Sequence, residues 1–554
     1  MKSLRENKKN ILPLILLLII TLPAIFSLFH PGFFPSDDGE WMVIRLTDFH
    51  RSFVSGQIPV RWAARLNYSY GYPVFNFLYP LSLYIGEFFH LLGFNFVDSI
   101  KLVFIFSFFL SGIFMYLFVN KLWGNLAGLV SAVLYIYSPY RFLDVYVRGS
   151  IGESLAFVFF PLIFLSLFHL KQKGLSFRYL PLGAIALAGL IMSHNIMAML
   201  FLPIALVYAF LSIFQGGSKF FALYALFFIL GLGLSCFFWL PALYDKKFII
   251  LDQVTVANYW EHFPSLKQVI IPSWGYGPSV VGVQDQSSYQ IGLIHLLVVV
   301  SSVYFLIKFW KRNKYEKVQI LFFLLVFIAT FFLMLPVSLP IWKISPFLWR
   351  TQFPWRLLAI TTFASAILGG GLVNMIENKN KVMLSYLIIV LAIILNWRYA
   401  KPQFFINRPE SFYLTNEATT TVKDEYMPVW VKEKPTSRPA QKIEIISGKG
   451  RIENLTYNSK EISFTVVAEE EVRVQINTIY FPGWYLKVDN QPLTRFEIND
   501  PKGVMNFVVP AGNHQVLAYF GETEPRALAD LISLGSLIIT GTLLVKSWRR
   551  KNER

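Results

Sequence analysis

Segment 35–41 follows the first apolar run of the chain. It contains three carboxylates within four consecutive residues: Asp37, Asp38 and Glu40. One interpretation is structural: a turn and a helix N-cap, in which Asp38 or Glu40 meets the positive end of the helix dipole. The other is functional, either a general base or a set of ligands for a hard divalent cation such as Mg²⁺ or Mn²⁺. One short cluster does not complete an octahedral shell, so both interpretations stay open.

A second polar cluster combines Arg148 with Glu153, beside Tyr140 and Asp144 in the sequence. The planar guanidinium of arginine donates hydrogen bonds in pairs and therefore suits a phosphate. An ionisable residue at the end of a membrane span is a functional candidate by default, which applies to Glu153. The structural alternative is that Arg148 and Glu153 form an ion pair at the membrane interface or begin a helix.

Isolated polar residues in later segments extend the set of candidates. His194 and Asn195 interrupt a long apolar stretch. A lone histidine at the tip of a helical hairpin more often caps a helix than catalyses a reaction. The remaining candidates lie in predicted outer segments, and each is weak by itself: Glu261, His262, Arg350 and Arg356.

The elements that must position these residues are membrane spans. The 554 residues are 55% hydrophobic and 17% aromatic, and their apolar runs are long enough to cross a hydrocarbon core of about 30 Å. The first run follows four basic residues and has no small-residue cleavage site, so it predicts a retained signal anchor. Twelve spans are predicted, near residues 11–29, 100–119, 124–139, 152–170, 178–193, 195–214, 220–241, 289–308, 318–337, 352–375, 382–398 and 527–546.

The basic residues of the chain predict its topology. The alternate loops on the side of the N-terminus hold 21 Lys and Arg against 4 acids, which accounts for the whole net charge of +17. Positive charge on one side marks the cytoplasmic face, so both termini are predicted to be cytoplasmic. The candidate residues then share the extracytoplasmic side. Since the basic residues set topology, nucleic acid is excluded as a partner.

The same topology predicts five regions. Residues 1–29 form the cytoplasmic tail and first span, 100–398 form the helix bundle with an outer loop at 242–288, and 527–554 form the last span and a basic cytoplasmic tail. Residues 30–99 form an outer loop with interfacial helices, in which segment 77–93 is interfacial or re-entrant because a crossing would invert the later loops. Apolar and polar residues alternate in 442–446, 462–467, 472–476 and 504–509, and together with turn signals they predict an extracytoplasmic β-sandwich within 399–526.

Several classes of chemistry lose support from the sequence. The single cysteine, Cys236, lies in a predicted span and excludes a disulfide framework or a cysteine-rich metal site. The sequence has no P-loop, dinucleotide fingerprint, HExxH motif or nucleophile elbow. The glycines of 369–371 lie in a span, where they predict close helix packing.

One span, an acidic outer loop, interfacial helices, a many-helix bundle and an outer sandwich together resemble the GT-C class of membrane glycosyltransferases. More narrowly, the chain resembles a bacterial membrane family labelled 6-pyruvoyl-tetrahydropterin synthase-related, with relatives implicated in glycosylating cell-envelope polymers. The label does not imply pterin chemistry, because the zinc-binding histidine cluster of the soluble enzyme is missing from the sequence. The resemblance rests on Asp37-Asp38, Arg148-Gly149 with Glu153, and segments 56–62, 71–73, 138–140, 193–195, 353–356, 480–484 and 510–514.

The resemblance implies a hexosyl- or pentosyltransferase that moves a sugar from a polyprenyl-phosphate donor to a glycan, lipid or protein acceptor outside the cytoplasmic membrane. As a hypothesis, Asp37 or Asp38 deprotonates the acceptor and an arginine (Arg148, Arg350 or Arg356) stabilises the departing phosphate, with inversion at the anomeric carbon. The other candidates, Glu40, Glu153, His194, Asn195, Glu261 and His262, are assigned to substrate binding, and Asp37, Asp38 and Glu40 are the candidate metal ligands.

The main alternative is a transporter, a flippase or a scaffold for lipid-linked envelope precursors. A transporter is expected to place its binding residues near mid-membrane, commonly at broken helices in internally repeated halves. In this chain the ionisable residues cluster at one predicted face and the sequence has no repeat. These observations favour the enzyme.

Overall fold

The computed structural model describes residues 2–173, 178–216, 219–255, 257–281, 286–308, 314–376, 378–419, 422–498 and 500–552. Within these ranges most of the chain is helical, and the strands are confined to the C-terminal third. The helices of the first half are α1 Lys2–Ile25, α2 Gly39–Val54, α3 Val74–Phe77, α4 Leu81–Leu91, α5 Phe96–Trp123, α6 Asn125–Ile136, α7 Pro139–Tyr146, α8 Ile151–Lys173, α9 Tyr179–Ser193, α10 Asn195–Gly216, α11 Lys219–Leu234, α12 Cys236–Asp245 and α13 Leu266–Ile270.

The second half adds further bundle helices, a short helix before the strands, and a long terminal helix. The bundle is built around α8 and the later α18, whose apolar lengths are almost entirely buried, whereas α1 and the last helix lie at its periphery. The helices are α14 Leu293–Lys308, α15 Lys314–Met334, α16 Leu339–Ile344, α17 Pro346–Trp349, α18 Leu358–Met375, α19 Asn378–Asn396, α20 Glu410–Thr415 and α21 Glu524–Asn552.

The predicted spans can be compared with these helices. Among the described residues, eight helices are long and apolar enough to cross a membrane, or ten if two bent pairs, α6 with α7 and α11 with α12, each count as one span. Two shorter apolar helices, α9 and α14, have 15 and 16 residues and occupy two other predicted positions. The polytopic helical fold is therefore confirmed. That the chain crosses the membrane twelve times stays a prediction, because it requires the two short helices to cross as well.

Segment 77–93 does not form one continuous helix. It breaks after α3, and α4 has 11 residues, which corresponds to about 16 Å at 1.5 Å per residue. This length is too short for a hydrocarbon core of about 30 Å. The expectation that the segment does not cross agrees with this geometry.

Close packing in the bundle depends on small residues in α18. A Cβ atom on Gly370 would lie 2.4 Å from Ser131 Oγ and 2.6 Å from Val119 Cγ1, and one on Gly369 would lie 2.3 Å from Leu134 Cδ1. Small residues let helix backbones approach closely in membranes. The prediction that 369–371 serves helix packing is confirmed.

The C-terminal β domain consists of two antiparallel sheets, with strand orders β1-β4-β7 and β2-β3-β8-β5-β6. Alternate residues of β3, among them Ile462, Phe464 and Val466, are buried, as expected for strands with one core face. The strands are β1 Ile443–Ser447, β2 Gly450–Tyr457, β3 Glu461–Ala468, β4 Val472–Ile479, β5 Trp484–Val488, β6 Gln491–Leu493, β7 Val504–Val509 and β8 Gly512–Phe520.

The β domain packs onto the loop between α2 and α3. The amide of Ile479 donates to the Tyr70 carbonyl at 2.8 Å, and the buried Trp62 ring lies 5.9 Å from the ring of Trp484 and 5.6 Å from that of Phe520. Trp484 is therefore part of the core between the loop and the domain. Tyr485 is instead exposed and stacks on Tyr519.

Candidate active site

The acidic turn that precedes α2 is held by the backbone of the turn that follows α7. The amide of Asp37 donates to the Val147 carbonyl at 3.3 Å, and the amide of Asp38 donates to the Arg148 carbonyl at 2.9 Å. Gly149 has φ of +64°, and a Cβ there would lie 2.5 Å from the Gly39 nitrogen. Only glycine permits this approach, so the local backbone fixes Asp37 and Asp38 beside Arg148.

The carboxylates of this turn do not cap α2 through their side chains. Asp38 occupies the N-cap position without a side-chain hydrogen bond, and the Gly39 amide donates instead to Ser36 Oγ at 3.2 Å. Within the described ranges, neither Asp37 nor Asp38 has a side-chain hydrogen bond or an ion pair. The carboxylates of Asp37 and Asp38 can therefore still accept hydrogen bonds at this end of the helix bundle.

Both carboxyl groups bind a proton more readily than usual. Partial desolvation raises the pKa of Asp37 to about 6, against the lowering effect of Arg148. Burial also raises the pKa of Asp38, although Arg45, Arg148 and Arg356 oppose the shift with their positive charges. A raised pKa near the operating pH is characteristic of a general base.

Glu153, at the start of α8, is the centre of a buried polar network. Its Oε2 accepts from Arg148 Nη1 at 2.7 Å and from the Tyr140 hydroxyl at 2.8 Å, and its Oε1 accepts from Arg148 Nη2 at 2.9 Å. Arg356 Nε donates to Oε1 at 3.0 Å from the turn before α18. Arg148 Nη1 also pairs with Asp144 at 2.7 Å. The ion-pair interpretation of Arg148 and Glu153 is therefore correct, and Arg356 belongs to the same network.

His194 joins this network from the connection between α9 and α10. Its Nδ1 accepts from the Met197 amide at 3.1 Å, which caps α10 as the structural interpretation expected. An accepting Nδ1 places the proton of a neutral imidazole on Nε2. That nitrogen lies 3.8 Å from Glu153 Oε1, so the ring also faces the network.

Aromatic residues cover the arginines. The guanidinium of Arg148 lies 4.6 Å from the centre of the Trp355 ring, within the range of a cation–π contact. His262 packs its ring 4.9 Å from that of Phe353 and bonds through Nδ1 to Ser279 Oγ at 2.9 Å. Trp355 Nε1 donates to the same oxygen at 3.3 Å. His262 therefore supports the aromatic residues that cover the arginines.

Four sequence candidates are not brought into this network among the described residues. Arg408 and Tyr413 hold the Glu40 carboxylate at 2.8 and 3.1 Å. Asn195 accepts from the adjacent Ile196 amide, and Glu261 accepts from Asn258. Arg350 is exposed and makes no side-chain hydrogen bond or ion pair in the part of the chain described.

The candidate metal ligands do not form a set. No group of three His, Cys, Asp or Glu side chains suited to a metal ion occurs among the residues described. Glu40 is engaged by Arg408, as given above. The carboxylates of Asp37 and Asp38 remain, and Mg²⁺ is commonly bound by one or two carboxylates together with waters and substrate phosphates. A metal at Asp37 and Asp38 therefore stays a prediction.

Sequence reasoning missed three residues that interact electrostatically with Asp38. Arg45 lies on α2, while Tyr79 and Tyr426 come from the connection before α4 and from the segment before β1. The charges of Asp38 and Arg45 both act on the two tyrosine hydroxyls. For Arg45 a signal existed, since seven residues separate it from Asp38 and place both on one helix face. For the tyrosines, the sequence holds no such signal.

The fold and the site define a polytopic membrane protein with a polar site at one end of its helix bundle and a C-terminal β domain. The chain belongs to the family of 6-pyruvoyl-tetrahydropterin synthase-related membrane proteins, whose domain matches residues 75–401. A curated relative, an uncharacterized protein of Lactococcus lactis subsp. cremoris (strain MG1363), is 26% identical over 243 residues, covering 42% of this chain and 39% of the relative.

Solved structures of membrane glycosyltransferases are similar to this chain. The oligosaccharyltransferase of Archaeoglobus fulgidus in the apo form has a TM-score of 0.47 and 12% identity, over 74% of this chain and 56% of that chain. The arabinofuranosyltransferase AftD from Mycobacteria has a TM-score of 0.48 and 13% identity, over 72% of this chain and 27% of that chain. The chain thus spans well under two thirds of the length of these proteins and of the curated relative.

Proposed function

We propose that this protein is a membrane glycosyltransferase that moves a sugar from a polyprenyl-phosphate donor to an acceptor outside the cytoplasmic membrane. One observation carries the proposal. Two carboxylates without side-chain partners, Asp37 and Asp38, are fixed by backbone bonds beside a buried network of two arginines and a glutamate. This arrangement offers a proton acceptor next to positive charge, which are the two requirements for displacing a phosphate from a sugar.

The reaction follows from these groups. One aspartate takes the proton of an acceptor hydroxyl, and the acceptor oxygen attacks the anomeric carbon. The bond from that carbon to the phosphate oxygen breaks as the new bond forms, so its electron pair leaves on the polyprenyl phosphate and the configuration inverts. Attack from the side opposite to the leaving group requires base and cation to face the sugar from different directions.

The fixed arginines shape the charge around the leaving group. Glu153 holds Arg148 and Arg356 in place through bonds of 2.7 to 3.0 Å, so their positions do not have to be established during each turnover. Preorganised charge stabilises a transition state without a cost of reorganisation. In this proposal His194, whose Nε2 lies 3.8 Å from Glu153 Oε1, orients the substrate.

The location of the site suits a substrate that lies in the membrane. The network joins the ends of α7, α8, α9 and α18, where the helix bundle meets the outer loop that carries Asp37 and Asp38. A polyprenyl chain in the outer leaflet would keep its phosphate at this level. In this proposal the β domain holds a glycan, lipid or protein acceptor.

The test is sugar transfer from radiolabelled polyprenyl-phosphate sugars to endogenous envelope acceptors in membrane vesicles. The wild type is compared with Asp37→Asn/Asp38→Asn and with Glu469→Gln/Glu470→Gln, which removes two adjacent, exposed carboxylates of the β domain. We expect transfer by the wild type and by the control variant, and a loss of at least about 100-fold in the aspartate variant.

Two results would count against the enzyme. Equal transfer by the aspartate variant would remove Asp37 and Asp38 from the mechanism. No transfer by a folded wild type, with several hexose and pentose donors, would favour a transporter or a scaffold for lipid-linked precursors instead.

A further inference from the structure

Arg45 carries a buried charge that lacks a counterion. Its side chain is 7% exposed, and within the described ranges no carboxylate lies at ion-pair distance from it. Its Nε is enclosed without a partner, and its one side-chain bond runs from Nη1 to the sulfur of Met42 at 3.6 Å. Burying a charge without a partner is costly, so a ligand that supplies negative charge would remove this cost.

The other buried arginines of the described chain are compensated. Arg148 and Arg356 pair with Glu153, and Arg526 pairs with Asp245 at 2.8 Å. Arg141 has no carboxylate partner, but its guanidinium lies between the rings of Phe108 and Phe157, 4.5 and 4.3 Å from their centres. Arg45 has neither form of compensation, which sets it apart from this group.

The guanidinium of Arg45 faces Asp38. Seven residues on a helix are about two turns, so the two residues share a face of α2, and helical side chains lean towards the N-terminus. Among the neighbouring positive charges, that of Arg45 lowers the pKa of Asp38 most. The cation therefore lies close to the proposed base and yet outside ion-pair distance from it.

Two tyrosine hydroxyls share this space. The hydroxyl groups of Tyr79 and Tyr426 have no hydrogen-bond partner among the described residues, and both lie within the electrostatic reach of Arg45 and Asp38. Burial raises the pKa of each tyrosine, which keeps both hydroxyls protonated as donors. A guanidinium and two hydroxyl donors without acceptors match the several acceptor oxygens of a phosphate.

We propose that Arg45, Tyr79 and Tyr426 bind the phosphate of the lipid donor. This inference deepens the proposed function and rests on it. It adds Arg45 as the arginine that contacts the phosphate directly, while Arg148 and Arg356, which already bind Glu153, act on the leaving group through their charge, and Arg350 is exposed. It also makes the segment before the β domain part of the site, since that segment contributes Tyr426.

The test measures binding alone, so it needs neither the sugar nor the acceptor. Farnesyl monophosphate and farnesol, which share the lipid and differ in the phosphate, are titrated into the purified full-length protein in nanodiscs, and intrinsic tryptophan fluorescence is followed. Inorganic phosphate, in a third titration, tells a lipid phosphate from the free ion. The variants are Arg45→Gln, Arg45→Lys and Tyr426→Phe, with Arg51→Gln as the control because Arg51 is an exposed arginine on the same helix.

We expect the wild type and Arg51→Gln to prefer farnesyl monophosphate to farnesol. Arg45→Gln should lose roughly thirtyfold in affinity for the phosphate and nothing for farnesol. Arg45→Lys should recover part of this loss, and Tyr426→Phe should lose about fivefold. Thermal unfolding identifies any variant that fails to fold. If Arg45→Gln fails to fold, the affinities of Arg45→Lys and Tyr426→Phe for farnesyl monophosphate test the proposal.

Two outcomes would overturn the proposal: an Arg45→Gln variant with the wild-type preference, or a wild type without any preference for the phosphate. Binding of inorganic phosphate as tight as that of farnesyl monophosphate would overturn the lipid donor as the ligand. If phosphate binding depends on Arg45 but vesicles show no transfer, the proposed reaction fails while the phosphate site stands.

Discussion

Two charge clusters of this protein differ in whether their carboxylates have partners. In the cluster that we call the clamp, Arg61 binds Glu522 at 2.7 Å and Asp530 at 2.9 Å, and Arg526 binds Asp245 at 2.8 Å. Each carboxylate of the clamp thus meets an arginine. In the candidate active site, Glu153 is fully paired, whereas Asp37 and Asp38 are not.

The difference suits a structural role for the clamp and a chemical role for the candidate active site. The clamp joins the loop between α2 and α3, the end of α12 and the start of α21, so its pairs connect distant parts of the chain. Breaking a closed cluster of this kind destabilises a protein because it leaves a buried charge uncompensated. The active site instead keeps uncompensated charge, which a substrate can meet.

The largest effect is expected from the two aspartates taken singly. Asp38→Asn should reduce sugar transfer by at least about 100-fold, because Asp38 lies within the field of three arginines. Asp37→Asn should reduce it by about tenfold, since Asp37 is exposed. Initial rates in vesicles at saturating donor measure both. If the two losses are reversed, Asp37 is the base.

A somewhat smaller effect, on stability rather than on transfer, is expected for the clamp. Arg61→Met leaves Glu522 and Asp530, which are 31% and 26% exposed, without their cation and should lower the free energy of unfolding by about 2 kcal/mol. Thermal unfolding in detergent measures the change. Arg473→Met, at an exposed pair with Glu497, is the control and should cost less than about 1 kcal/mol.

The structural role of the clamp would be contradicted if Arg61→Met abolished transfer in a protein that still unfolds at the wild-type temperature. The clamp would then take part in the reaction. We expect the folded fraction of this variant to keep its rate of transfer per molecule.

The smallest effect is a dependence on pH. Since the pKa of Asp37 is raised to about 6, its carboxyl group is deprotonated above that pH and protonated below it. Transfer should therefore fall on acidification through pH 6, and this fall should become smaller in Asp37→Asn, in which only Asp38 still titrates. Rates measured from pH 5 to 8, with recovery at pH 7.5 as the control for unfolding, test the assignment. An unchanged fall in Asp37→Asn would contradict it.

Much of the architecture is readable from the sequence because burial in a membrane and in a sandwich leaves periodic signals. The long apolar runs predicted α1, α5 and α8, and the alternation of 442–446, 462–467, 472–476 and 504–509 predicted β1, β3, β4 and β7. The other four strands, β2, β5, β6 and β8, were not predicted. One reason is that β2 is largely exposed and therefore has no regular pattern of buried residues.

The candidate site could be predicted only in part. Asp37 and Asp38 are conspicuous because charge beside a membrane is rare, and both lie in the site. The pairing of Arg356 with Glu153 joins residues 203 positions apart, which no local pattern reveals. Arg350 and Arg356 have the same chemistry and nearly the same position in the sequence, yet the turn before α18 turns only Arg356 inwards.

The distribution of the site along the chain also sets an order for its biogenesis. Synthesis proceeds from the N-terminus, so Asp37 and Asp38 emerge first, Arg148 and Glu153 follow, and Arg356 and Tyr426 come much later. A nascent chain therefore carries its acidic turn through most of translation without Arg356 to complete the network. The network around Glu153 is complete only when the turn before α18 has been made and Arg356 has packed against the start of α8.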